Sequence, residues 1–225
     1  GYAVGLLQVH RGDDAFAAIK RLVFEERRIP ARQLVESMDA NFVGFDRLRK
    51  MLLDAPKYGN DDPYADSILV DLHDWLCRRI SEQAPKVGLA SYLAVTINTA
   101  QNVTLGRWVG ATPDGRRAGM PMANANNPSP GTDTRGLTAM LNSILKPRHD
   151  THAGMVSNIR FTRESFTSSR EKITGLVRNY FDRGAAHAMI TVVGRDDLRD
   201  AMLHPQDYRD LIVRVGGFSA RFVDL

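Results

Sequence analysis

A single cysteine, Cys77, among 225 residues leaves no partner for a disulfide inside the chain. That usage fits a reducing compartment, and a cytoplasmic location is expected. No stretch approaches the roughly 18 consecutive apolar residues that a membrane-spanning helix needs. The opening Gly1-Tyr-Ala-Val-Gly-Leu-Leu-Gln lacks the basic segment that begins a signal peptide, and it lacks an initiating Met. The chain is therefore expected to start partway through a longer one. Charge of one sign is also scarce: 30 Lys and Arg stand against 26 Asp and Glu, a formal balance of +4. The basic residues are dispersed, and pairs such as Arg27-Arg28 and Arg78-Arg79 sit near acids on expected helices. No basic stripe interleaved with aromatics appears, so a nucleic-acid partner is not expected. Internal repeats and low-complexity tails are absent.

What is present is ordinary globular material, 43% hydrophobic and 25% charged, with 18 Gly and 10 Pro. Phe16, Ile19, Leu22 and Val23 recur at helical spacing between Asp13 and Glu26, with Asp13 or Asp14 as cap. Shorter helices are predicted over Ala31–Met38 and Phe45–Leu53. The polar turn Pro56–Asp62 leads into a helix with Pro63 early and with Ile68, Leu72, Trp75 and Leu76 on one face. Asp61, Asp62 and Asp66 read as capping residues for that helix. Leu93–Ile97 reads as a strand, and Asn98–Asp133 as a long Gly-, Asn- and Pro-rich segment with little regular structure. Loops of that length in compact domains are usually functional. Helices near 137–145, 171–182 and 196–203 then alternate with strands near 157–161, 188–193 and 211–215. That alternation predicts an α/β architecture.

Gly216 and Gly217 interrupt the apolar strand Leu-Ile-Val-Arg-Val just before Phe218-Ser-Ala. Alone, the pair describes a bulge or tight turn. The longer string His204-Pro-Gln-Asp-Tyr-Arg-Asp-Leu-Ile-Val-Arg-Val-Gly-Gly-Phe-Ser-Ala-Arg-Phe-Val-Asp-Leu225 closely resembles the C-terminal signature of glycyl radical enzymes, the superfamily of pyruvate formate-lyase and the diol dehydratases. Earlier blocks resemble the family in the same order: Asp14 to Glu26, the turn Ala55-Pro-Lys-Tyr-Gly-Asn-Asp-Asp62, Gly110-Ala-Thr-Pro-Asp-Gly-Arg-Arg117, Leu141-Asn-Ser143, and His187 to Val193.

The resemblance implies a fold and a chemistry. The fold is the second half of a ten-stranded α/β barrel that carries the C-terminal radical loop. Residues 1–110 would belong to the pyruvate formate-lyase-like catalytic domain and residues 111–225 to the glycine radical domain. In the family the radical glycine directly precedes the aromatic residue, which is Gly217 here, with Arg214, Gly216, Phe218 and Ser219 supporting the loop. Glycine suits a backbone radical because the unpaired electron delocalises between amide and carbonyl only if the Cα centre is nearly planar, and a Cβ would crowd that plane. The radical is installed after translation by a radical S-adenosylmethionine activase, so no bound cofactor and no metal is expected on this chain. The partners implied are that activase, a small-molecule substrate, and a second copy in a homodimer. By the same analogy His187, Met189 and Thr191, which alternate along one strand and face one side, border the barrel interior as possible pocket residues.

The family's thiyl-forming cysteine lies in a Gly-Cys-Val-like loop that this sequence does not contain. Cys77 sits inside a predicted helix and reads as a structural residue. The activity expected is radical cleavage of a C–C or C–heteroatom bond (dehydratase, decarboxylase or formate acetyltransferase-like) with a cysteine located outside this chain. The alternative is a non-catalytic spare-part subunit that restores the glycyl loop of a damaged partner. The ending resembles the dehydratase and decarboxylase branches, whereas Met122-Ala-Asn-Ala-Asn-Asn-Pro128 departs from the acidic segment common in dehydratases. Two further readings come from the residues alone. His149 and His152 have a spacing compatible with a metal pair, but Pro147 and Gly154 place them in a loop, and no metal site is expected there. Asp114-Gly115 reads as a tight turn, which by resemblance also supports the pocket.

Overall fold

The computed structural model describes residues 2–6, 12–96, 101–215 and 218–225. Four strands, β1 (Tyr2–Leu6), β2 (Ser91–Thr96), β3 (His152–Phe161) and β4 (His187–Val192), form one sheet in the order 1-2-3-4. Every neighbouring pair is parallel. Parallel neighbours in sequence order need a crossover between each pair, and helices supply it. Between β1 and β2 run α1 (Gly12–Ile19), α2 (Ala31–Asp39), α3 (Asp46–Asp54) and α4 (Pro63–Gln83). Between β2 and β3 run α5 (Gln101–Trp108) and α6 (Leu137–Ile144), and between β3 and β4 run α7 (Arg163–Ser168) and α8 (Arg170–Asp182). After β4 come α9 (Arg195–Leu203) and an antiparallel pair, β5 (Ile212–Val215) with β6 (Phe218–Arg221).

Local chemistry explains the helix ends. The Asp62 carboxylate accepts from the Tyr64 amide at 2.9 Å ahead of Pro63, so α4 starts with a side-chain cap and a proline where no amide is needed. Thr162 and Ser165 form a reciprocal capping box at α7. Helix α8 ends on Gly184 at φ +94°, with the Gly184 amide on the Phe181 carbonyl and the Ala185 amide on that of Tyr180. Glycine tolerates that left-handed position, and the two bonds satisfy carbonyls the helix leaves open.

Two apolar clusters hold the elements. One is built on α1, α2 and α3 from Ala18, Leu22, Ile29, Leu34, Phe42, Leu48 and Leu52. The other seats α4, α6 and α8 on the sheet through Leu69, Met140, Leu141, Ile144, Ile159, Phe161 and Tyr180. Burying a side chain of this size contributes roughly 1.5–3 kcal/mol.

Several sequence expectations change. Helix α4 buries Ala65, Asp66, Leu69, His73 and Cys77, whereas Ile68, Leu72 and Leu76 are half-buried and Trp75 is exposed with Arg79 over its ring. The apolar count favoured the wrong stripe because the buried one carries a histidine and an aspartate with partners of their own. Only Asp62 caps α4. Asp61 and Asp66 instead receive the Lys146 ammonium at 2.7 and 2.6 Å, which ties α4 to the end of α6. The segment expected to be irregular contains α5. Its Gly106 is a close-approach glycine, since a Cβ there would lie 2.4 Å from the Met120 carbonyl oxygen. Strand β3 begins at His152, five residues earlier than predicted.

The long segment after α5 is held by buried polar side chains. The Arg116 guanidinium donates to the carbonyls of Gly106, Gly110 and Met120. Asn60 donates to the carbonyls of Lys57 and Thr132 and accepts from the amides of Thr134 and Arg135. Beside it Gly59 sits at φ +91°, where an added Cβ would lie 2.5 Å from the Pro128 ring. We predict that Gly59→Ala destabilises the protein by roughly 2–4 kcal/mol, from left-handed strain plus overpacking. Urea denaturation checks this, and an unchanged midpoint contradicts it.

Candidate functional site

The register of the C-terminal hairpin pairs Val215 with Phe218, Arg214 with Ser219, Val213 with Ala220 and Ile212 with Arg221. Gly216 and Gly217, the residues between the two strands, lie outside the described residues, as do the side chains of Arg214 and Phe218. The base of the hairpin is closed by the Phe222 amide on the Leu211 carbonyl at 2.8 Å. Beneath it, α9 and the turn Pro205–Tyr208 form a support with Ala201 and Leu211 buried. Asp200 ties this support together, accepting from Tyr208 Oη at 2.7 Å and pairing with His204 Nδ1 at 2.8 Å. Those two bonds hold the Asp200 carboxyl below its usual range. The unit is apolar outside as well: Met202, Leu203, Ile212 and Leu225 are each more than 60% exposed.

The three residues read as a possible pocket share one face of β4, but their environments differ. Met189 is buried against Ala125 and Val156, His187 is exposed, and Thr191 is half-buried. Their face is partly covered by the segment around Asn126. Next to the last described β2–β3 pair, Thr96 with Met155, the Asn126 amide binds the Val156 carbonyl at 3.0 Å. Asn127 then donates to the Asn158 carbonyl and accepts from its amide, at 2.8 and 2.7 Å. Asn126 and Asn127 of the Met122–Pro128 segment are thus fastened to β3. Among the described residues β5 and β6 contact chiefly each other, while α9 packs on the turns Pro205–Tyr208 and Phe222–Asp224 that flank the hairpin in sequence.

Behind this face lies a buried polar group that sequence reasoning assigned only to helix capping. Asp13 and Asp14 are completely buried in the first turn of α1. The Asp14 carboxylate accepts from the Tyr58 amide at 2.8 Å, and Tyr58 Oη donates to the Asn126 carbonyl at 3.1 Å. Lys57, also buried, donates to the carbonyls of Leu52 and Ala55. Burial raises the Asp14 carboxyl to about 7, against the opposing pull of the Tyr58 amide and Lys57. Burial, with the neighbouring Asp14 charge, pushes Asp13 up well above the carboxylate range. The turn Lys57-Tyr-Gly-Asn60 is thereby locked to α1 on one side and to the Asn126 segment on the other. The Asp114-Gly115 turn also forms as expected, with Gly115 at φ +90° and its carbonyl accepting from Arg49.

His149 and His152 do not form a pair. His149 is occupied on both nitrogens, Nε2 on the Ile144 carbonyl at 2.8 Å and Nδ1 on the Ala186 amide at 3.1 Å. His152 opens β3 and turns toward α4, where it meets His73 and Cys77. Cys77 is buried, as a structural cysteine should be, and burial pushes its thiol up.

With this arrangement known, its relatives are informative. Residues 4–106 match the family described as pyruvate formate lyase-like, and residues 122–223 match the one described as glycine radical. The chain belongs to the glycyl radical enzymes. This glycyl radical enzyme chain is 37% identical over 224 residues to the isethionate sulfite-lyase of Bilophila wadsworthia, covering 94% of the chain and 26% of that protein. It is 33% identical over 215 residues to the trans-4-hydroxy-L-proline dehydratase of Clostridioides difficile, covering 94% and 27%. In solved structures it superposes on the glycerol-bound glycerol dehydratase of Clostridium butyricum with a TM-score of 0.91 and 31% identity, over the whole chain and 29% of that structure. The chain thus spans about a quarter of the length of the curated relatives it matches. The observed α/β fold with its parallel sheet agrees with these glycyl radical enzyme structures.

The buried acid pair produces a definite pH dependence. A carboxyl raised on folding favours the protonated native state, so its contribution is complete below the unfolded value near 3.8 and is lost as pH rises through about 7. Asp14→Asn keeps the oxygen that accepts from Tyr58 and removes the charge. We predict that the variant gains on the wild type by a few kcal/mol between pH 5 and pH 8, about the size such a shift implies. Urea denaturation at the two pH values measures it; parallel pH profiles contradict it.

Proposed function

We propose that this chain is the C-terminal part of a glycyl radical lyase, with the stored radical on Gly217 and the substrate-attacking thiyl cysteine located outside this chain. The observation that carries the reading is the hairpin register. It pairs Val215 with Phe218, the residues that flank the two glycines of the signature in sequence. Arg214, Gly216, Phe218 and Ser219 are its supports. A radical at the Cα of Gly217 is stabilised by delocalisation into the flanking amide and carbonyl, which glycine permits because no side chain opposes a planar centre.

The reaction begins with abstraction of the Gly217 Cα hydrogen by a radical S-adenosylmethionine activase. Hydrogen transfer from the cysteine to the glycyl radical leaves a thiyl radical and restores the glycine. The thiyl abstracts a hydrogen from a carbon of a small substrate, and the substrate radical eliminates a group from the neighbouring carbon. The product radical then recovers the hydrogen from the thiol. The relatives point to the bond class, since isethionate sulfite-lyase and the hydroxyproline and glycerol dehydratases are named for removal of sulfite or water. We therefore favour cleavage of a carbon–heteroatom bond over acyl transfer.

Two features support a barrel around this site. A parallel sheet in sequence order 1-2-3-4 is the wall that a ten-stranded α/β barrel requires. The exposed apolar side chains Met202, Leu203, Ile212 and Leu225 beside the hairpin are a surface for the remaining barrel to cover. Enclosure would keep water from the radical intermediates. In this reading residues 1–110 belong to the catalytic domain and 111–225 to the glycine radical domain, and His187, Met189 and Thr191 face the barrel interior. The activase and a homodimer are the expected partners, and the cytoplasm the expected location.

Anaerobic activation of the full-length protein should produce a doublet electron paramagnetic resonance signal, and oxygen should then cut the chain near residue 217. Gly217→Ala should abolish both. A doublet that survives in Gly217→Ala removes the assignment.

A further inference from the structure

Helix α4 carries His73 and Cys77 four residues apart on its buried stripe, and β3 opens on His152 directly opposite. Cys77 Sγ lies 3.4 Å from His152 Nε2 and 3.7 Å from His73 Nε2, and the two Nε2 atoms are 2.6 Å apart. These three donor atoms are the group among the described residues that lie close enough together to hold one metal ion. We propose that His73, Cys77 and His152 bind one zinc-class divalent cation that fastens α4 to the start of β3.

The ligands are the right kind and in the right protonation frame. Nδ1 of His73 faces the Asp74 carboxylate at 2.9 Å. An ionised carboxylate only accepts, so Nδ1 holds the proton and Nε2 presents its lone pair inward. A carboxylate behind a ligating histidine is the usual outer partner at zinc. His149, three residues before His152 in sequence, is excluded because both its nitrogens are engaged.

Two nitrogens and one sulfur at helical i, i+4 spacing plus a facing strand are a soft, tetrahedral donor set. With Zn–N near 2.0–2.1 Å and Zn–S near 2.3 Å, tetrahedral ligand atoms stand about 3.3–3.6 Å apart. Both sulfur–nitrogen separations are close to that. The nitrogen pair is shorter, and without a cation the two rings meet head-on and share a proton between Nε2 atoms. Coordination requires them to part by about 0.7 Å and re-aim by side-chain rotation. The Cys77 thiol proton leaves to solvent on binding, and a water completes the fourth position.

The test uses the full-length protein, purified without a metal-affinity tag and stripped of metal. Zinc should bind at one equivalent and raise the thermal midpoint, because a ligand bound only by the folded state stabilises it. Cobalt(II) in its place should show thiolate-to-cobalt charge transfer in the near ultraviolet and visible bands of tetrahedral intensity. Cys77→Ser should erase the charge transfer, and Asp74→Asn, a change at a half-exposed side chain, should weaken binding about tenfold to a hundredfold. Absence of a stoichiometric zinc ion or of the charge-transfer band in the wild type overturns the proposal, as does an unchanged cobalt spectrum in Cys77→Ser. Should Cys77→Ser fail to fold, the wild-type cobalt spectrum and the Asp74→Asn affinity decide the matter.

Discussion

Strand β3 draws its hydrogen bonds from three different partners. Its first residues pair with β2, and its last six pair with β4. Asn126 and Asn127 add side-chain and backbone bonds to Val156 and Asn158. A buried strand cannot leave a row of amides and carbonyls unpaired, so the segment after α5 must lie where it does. That one requirement places the remaining parts. Ile159 and Phe161 on one face receive α4, α6 and α8, while Val156 on the other meets Met189 and Ala125.

The polar interior follows from the same placement. Tyr58 reaches the Asn126 carbonyl, and its amide is held by Asp14, so the family turn around Lys57-Tyr-Gly-Asn60 links the first helix to the segment that completes the sheet. Asn60 and Arg116 each satisfy several backbone carbonyls or amides at once, giving a long connection the fixed course that a helix or strand would otherwise supply. The carboxyls of Asp13 and Asp14 are buried to achieve this, and their raised proton affinity is the consequence. The glycine hairpin follows this network in the chain, its two strands paired with each other and flanked by turns that pack on α9.

Much of this was legible in the sequence. The helices around residues 31–38, 45–53, 171–182 and 196–203 follow the 3.6-residue apolar period and their caps, which are local properties. Membership in the glycyl radical enzymes was legible for a similar reason. The Gly-Gly-Phe-Ser string and the separated blocks before it are short, ordered and chemically specific. Less visible were the partners of buried polar residues. The inner face of α4 was misjudged because His73 and Asp66 look like surface residues until His152 and Lys146 arrive from far along the chain. The reason for Gly106 is the Met120 carbonyl, fourteen residues away and brought close only by folding.

By itself, then, the sequence determined the α/β alternation, most helix positions and the family, because each depends on nearest neighbours or on a contiguous motif. Only the tertiary structure decided which stripe of α4 is buried, that His152 joins His73 and Cys77 rather than His149, and that Asp14 serves Tyr58 rather than a helix cap. Those choices rest on hydrogen bonds between residues 40 to 80 positions apart. Such pairings have no periodicity along the chain; they are set when packing against the sheet brings buried donors and acceptors together.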